Sequence, residues 1–167
     1  MITKFEDYIN EATIPNLNGA GTSGDPIATM TEKRIEALAT KYELKFLKQF
    51  FCEEDDPKAT AEALIAYSNL DESEKTDDTM NALIVALRPS LAYYIAYNYF
   101  SDETVKNATI GGTITNSPNG VRHNNLQRCA KIWNDMVDMI TDVWEDEYES
   151  VYTPDQDIFY YINSFNI

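Results

Sequence analysis

Apolar residues recur along much of the chain at every third or fourth position, the spacing that gathers side chains on one face of a helix. Ile35, Leu38, Tyr42, Phe46, Leu47 and Phe50 keep this spacing through "KYELKFLKQFF" (Lys41 to Phe51). Thr29-Met30-Thr31-Glu32 has the form of a capping box, so the pattern predicts a helix that opens at Thr29 and stops at the acidic "EEDDP". Asp56 and Pro57 then supply an N-cap and a first helical residue, and Ala61, Leu64, Ile65 and Ser68 carry a short second helix. "DESEKTDD" (Asp71 to Asp78) reads as a charged loop. It lacks the mid-loop glycine and acid spacing of an EF-hand, which excludes that calcium site.

The stretch "TMNALIVALRPSLAYYIAYNYF" (Thr79 to Phe100) is apolar nearly all round, as a central, buried helix requires. Pro89 removes a backbone donor within it and is expected to kink the helix or split it. Arg88, beside that break, reads either as a partner contact or as an arginine that extends to the surface or bonds freed carbonyls. "NATIGGTITNSPNG" follows: β-branched residues flank Gly111-Gly112, so Ala108 to Thr115 predicts a two-residue hairpin or an ordered loop. A last long helix starts near Asn124 or Asn125. Leu126, Cys129, Trp133, Met136, Ile140 and Val143 form its seam, while Asp135, Asp138 and Asp142 fall on other faces. Thr153-Pro154 ends that run, and Ile158, Phe159, Tyr160, Tyr161, Ile162 and Phe165 make an apolar tail that something must cover. That cover is either its own domain or a partner.

The fold class that follows is mainly α, a bundle of about four helices with a β-hairpin or loop insert and extended N- and C-terminal arms. The expected boundaries are an arm over 1–28, with turn-forming "PNLNGAGTSGDP" at its end, a bundle over 29–150 with the insert at 104–120, and an aromatic tail over 151–167. At 167 residues this is one domain, long enough to bury a core without disulfides or metals. Cys52 and Cys129 lack CxxC spacing and read as reduced core residues; two cysteines with the one histidine, His123, do not make a structural zinc site.

Charge changes the picture more. The net charge is −15, and after Lys131 no Lys or Arg occurs, whereas nine acids follow. Passive binding to nucleic acid needs clustered cations and is argued against. A solvated face, a surface that repels DNA, one that mimics DNA, and one that meets a basic partner all fit this balance.

Catalysis finds no foothold. His123 lies in a polar run before a helix, the acids sit in exposed charge runs, and GxxxxGK[ST] and GxGxxG are both missing. The expectation is no enzyme, no cofactor and no metal. No run of about 18 apolar residues points to a membrane span, and "MITKFEDYINEA" carries acids where a signal peptide needs positive charge, so no secretion is expected.

Three segments resemble small connector proteins of tailed phages that infect gut Bacteroides-type hosts, the crAss-like group among them. "KYELKFLKQFF" resembles their "Y-E-x-x-F/Y-L-x-x-L-L" helix, with Cys52 where a glycine often stands. "LAYYIAYNYF" is similar to their Tyr-rich central helix, and "TIGGTITNSPNG" followed by "IWNDMV" to their Thr/Gly-rich insert and "W-N-x-M-V". The likeness spans roughly residues 30 to 145 and leaves out the arm and the tail. It implies a head–tail connector, or adaptor: a structural virion protein made in the host cytoplasm and built into the neck as a homo-oligomeric ring, commonly a dodecamer, beneath the portal protein and beside other neck and tail proteins. DNA would pass through without specific binding.

On that resemblance, Thr109, Ile110, Gly111, Gly112, Thr113 and Ile114 would reach a neighbouring subunit by strand addition. Tyr152, Ile158, Phe159, Tyr160, Tyr161 and Phe165 would dock on the portal or a neighbour. Asp135, Asp138, Asp142, Glu145 and Asp146 would face the channel. The competing reading is an acidic DNA mimic or inhibitor, which would present the run from Asp135 to Glu149 to a basic DNA-handling enzyme.

Overall fold

The computed structural model describes residues 1–17, 26–52, 54–109, 125–148 and 159–162. Side chains of 103–109, 125, 126 and 145–148 fall outside that description. Four α-helices build the described chain: α1 (Pro26–Phe50), α2 (Pro57–Ser68), α3 (Asp78–Thr109) and α4 (Asn125–Tyr148). No strand occurs among the described residues. α3 lies in the middle, against α1, α2 and α4, and α2 also packs on α1.

The central position of α3 follows from its sequence. Ser90, Leu91, Ala92, Tyr93, Tyr94, Ile95 and Ala96 are all buried, so nearly two turns have no solvent face at all. α1 offers Ile35, Ala39, Phe46, Leu47 and Phe50, and α4 offers Ile132, Met136, Val137, Ile140 and Trp144. Aromatic edges join these stripes: Phe46 meets Tyr94 at 5.4 Å between ring centroids, and Phe50 meets Trp144 at 5.1 Å.

α1 begins three residues earlier than the capping-box pattern indicates. Pro26 takes the first turn, where a missing N–H costs nothing, and Thr31 turns its hydroxyl back to the Ile27 carbonyl (3.0 Å). α2 starts as the sequence indicates, with Asp56 Oδ1 accepting from the Ala59 N–H (3.0 Å) ahead of Pro57. Asp56→Ala should therefore lower stability by about 1 kcal/mol in urea denaturation, the ordinary effect of losing an N-cap.

Pro89 does not split the central helix, which runs unbroken past it. The carbonyl left without its donor belongs to Val85, a residue 62% exposed, so water can take the bond. The same helix continues to Thr109, which makes residues 104–109 of the expected insert helical in backbone.

Residues 1–17 of the expected N-terminal arm pack onto the helices. Ile2, Thr3, Tyr8, Ala12, Ile14 and Leu17 are buried against the helices, and two short 3₁₀ turns, Phe5–Asp7 and Asn10–Ala12, shape the path. Asn10 and Asn16 take positive φ, which asparagine tolerates better than most residues. An irregular buried segment must find partners for its backbone groups, and here helix side chains provide them. Glu43 of α1 accepts from the Ile2 N–H (2.9 Å). Arg88 of α3 donates from Nε to the Ile2 carbonyl (3.1 Å) and pairs with Asp7 (3.7 Å). Arg128 of α4 donates to the Glu11 and Thr13 carbonyls (3.0 and 2.8 Å) while lying over the Phe100 ring. Arg88 thus bonds a carbonyl, but one of the N-terminal segment rather than of its own helix.

Candidate functional site: the outer face of α4 and the terminal clip

α4 divides its residues cleanly. Cys129, Ile132, Met136, Val137, Ile140 and Trp144 point inward, while Lys131, Asp138 and Asp142 are exposed and Asp135 is half-buried. The three aspartates follow one another at one-turn spacing, yet they are not equivalent. Asp135 pairs with Lys131 (2.7 Å), which also reaches Glu11 (3.6 Å). Asp138 accepts a hydrogen bond from the Tyr161 hydroxyl (2.6 Å), and that bond holds the phenol's pKa above its ordinary value. Asp142 stands exposed one turn further on.

Between the two faces, Trp133 and Asn134 grip the terminal segment. Trp133 Nε1 donates to the Tyr160 carbonyl (2.7 Å). The Asn134 amide donates to the Ile162 carbonyl (3.0 Å) and accepts from the Ile162 N–H (2.7 Å), much as a neighbouring strand would. Phe159, only 1% exposed, inserts between Phe46 of α1 and Trp133 of α4, at ring distances of 5.7 and 6.4 Å. Tyr160 and Tyr161 are left 57% exposed on either side of this clip. In effect the helix face reads a short extended peptide by its backbone and anchors it by one aromatic ring.

Of the residues expected to dock elsewhere, Phe159 is therefore corrected: it completes the core of its own chain. Over 159–162 the tail packs back on its own domain, and its exposed aromatics are Tyr160 and Tyr161. Tyr152, Ile158 and Phe165 lie outside the described residues. So do Ile110, Gly111, Gly112, Thr113 and Ile114 of the expected hairpin, whereas Thr109 closes α3. Glu145 and Asp146 are helical in α4, with side chains beyond what is described.

Two polar anchors escape the sequence reading. Asn134 is half-buried in α4 next to Trp133, and a mid-helix asparagine beside the apolar seam is the signal for it. Glu43 is 4% exposed and falls on the apolar stripe between Ala39 and Phe46, a place where a carboxylate needs a structural reason. Burial pushes the Cys129 thiol upward, away from the thiolate a nucleophile needs. Among the described residues no group of three or more His, Cys, Asp or Glu is placed to hold a metal ion, and no helix is long and apolar enough to cross a membrane. No family model, curated protein or solved structure matches the chain.

Proposed function

We propose that the chain is a structural subunit of the head–tail connector of a tailed phage, one copy in a ring that sits beneath the portal and joins capsid to tail. The observation that carries this reading is the outer face of α4, where the exposed carboxylates of Asp138 and Asp142 lie near the exposed Tyr160 and Tyr161 of the terminal segment. Exposed tyrosines favour a protein partner, because the ring contributes apolar area and the hydroxyl tolerates a wet rim. The three segments that resemble connector proteins add to it, and a packed helical bundle suits a ring's wedge. On this reading the acids of the last third, Glu145 and Asp146 among them, give the passage a charge that repels phosphates and lets DNA slide.

The DNA-mimic alternative calls for a regular row of free carboxylates. Asp135 is engaged by Lys131 and Asp138 by Tyr161, which counts against such a row. The adaptor reading is tested by electron microscopy of the purified protein mixed with the portal protein of the same genome. A ring capping the portal is the expected result; chains that ignore the portal would overturn it.

A further inference from the structure

α1 carries five of the thirteen basic residues of this acidic chain: Lys33, Arg34, Lys41, Lys45 and Lys48. Its three acids include Glu43, which is buried and turned inward. Lys41, Lys45 and Lys48 are exposed at one-turn spacing on the side away from the core. With Leu44 and Gln49 they line an open groove of about 370 Å³. Lys41 lies against the Tyr42 ring, but Lys45 and Lys48 form no ion pair among the described residues.

We infer that this lysine groove receives the outer face of α4 from a second copy of the chain, in a head-to-tail contact. Length and charge both match. Lys41 to Lys48 and Asp135 to Asp142 are each seven helical steps apart, roughly 10 Å at the ordinary helical rise. One ridge is wholly cationic; on the other, Asp135 is taken by Lys131, Asp142 stays exposed, and Asp138 is exposed and keeps its charge because its bond is to the neutral Tyr161 hydroxyl. The exposed ring of Tyr160 or Tyr161 has a place as well. This face of α1 offers Leu44, lysine stems and cationic heads that favour an aromatic face. The acidic loop 71–77 competes poorly as occupant, since it is no helical ridge and Glu72 already holds Lys75 (2.9 Å).

Because the two surfaces differ and each copy carries both, the contact is heterologous, and repeating it generates a ring or a helix of copies. The inference rests on the ring reading and deepens it, assigning Asp138 and Asp142 to the boundary between copies rather than to the channel.

The test uses full-length protein at low salt and follows self-association by sedimentation velocity. Wild type should associate with concentration and dissociate as salt screens the exposed charges. Lys45→Glu with Lys48→Glu should weaken association by on the order of tenfold or more, since attraction becomes repulsion. Asp138→Lys with Asp142→Lys should do the same. An equimolar mixture of the two variants should assemble again, because each supplies the surface the other has lost. Unchanged melting temperatures and a Tyr161→Phe control separate charge from the loss of the Asp138 hydrogen bond. Zero-length carbodiimide coupling of light and heavy-isotope copies should join Lys45 or Lys48 of one to Asp138 or Asp142 of the other. Wild type that stays monomeric throughout, or variants that assemble like wild type, would overturn the inference. The adaptor reading is judged separately, by whether rings form on the portal with these same variants.

Discussion

Replacing Phe159 with Ala is expected to lower the stability of the whole domain by about 3 kcal/mol, or roughly 6–12 °C in melting temperature. Tyr160→Ala, by contrast, should change stability by less than about 0.5 kcal/mol. The two residues are neighbours in sequence, and burial decides the difference: Phe159 is 1% exposed and Tyr160 57%. Phe159 also sits where its loss is felt by two helices, since its ring touches Phe46 of α1 and Trp133 of α4. The backbone clip at Trp133 and Asn134 orients the segment that delivers this ring. Thermal unfolding followed by circular dichroism checks the pair. An unchanged melting temperature together with faster proteolysis of the tail would show that the segment opens on its own, and the core role assigned to Phe159 would fail.

The helices were legible because each spans many turns with a repeating apolar face. Asp56-Pro57 even marks the start of α2 to the residue, since an N-cap is a local device. Of the kink or split expected at Pro89, the split does not occur: the freed carbonyl belongs to Val85, an exposed residue, so its lost bond is not buried. The first 17 residues were illegible because their burial has no period. Ile2, Tyr8, Ala12, Ile14 and Leu17 follow no helical or strand spacing, and their backbone is satisfied by Arg88, Arg128 and Glu43, which come from three different helices. Such a segment is specified by tertiary partners, which sequence spacing does not encode. The clip was half legible. The tail's apolar content demanded a cover, and Trp133 on the seam was one of its parts, but nothing in the sequence joins Asn134 to Ile162.

The second large effect is expected at Glu43. Glu43→Ala should destabilise the protein by on the order of 3 kcal/mol, because the N–H groups of Ile2 and Thr3 lose their acceptor where water has no access. Glu43→Gln keeps an acceptor oxygen in place and should lose far less at neutral pH. Burial outweighs these hydrogen bonds and raises the carboxyl's pKa above its ordinary value of 4.5. The folded state therefore holds this proton more tightly than the unfolded chain does. Glu43's contribution is fully present below 4.5 and is lost as pH rises through the elevated folded value. Wild type should accordingly gain stability relative to Glu43→Gln as pH falls from neutrality towards 4.5. The other acids titrate in both proteins and cancel in the difference, including any relief of the overall negative charge. Urea midpoints of the two proteins across that range measure it. Parallel curves, or a wild type that falls behind as the solution is acidified, would mean that the hydrogen bonds from Ile2 and Thr3 dominate and hold Glu43 as a carboxylate.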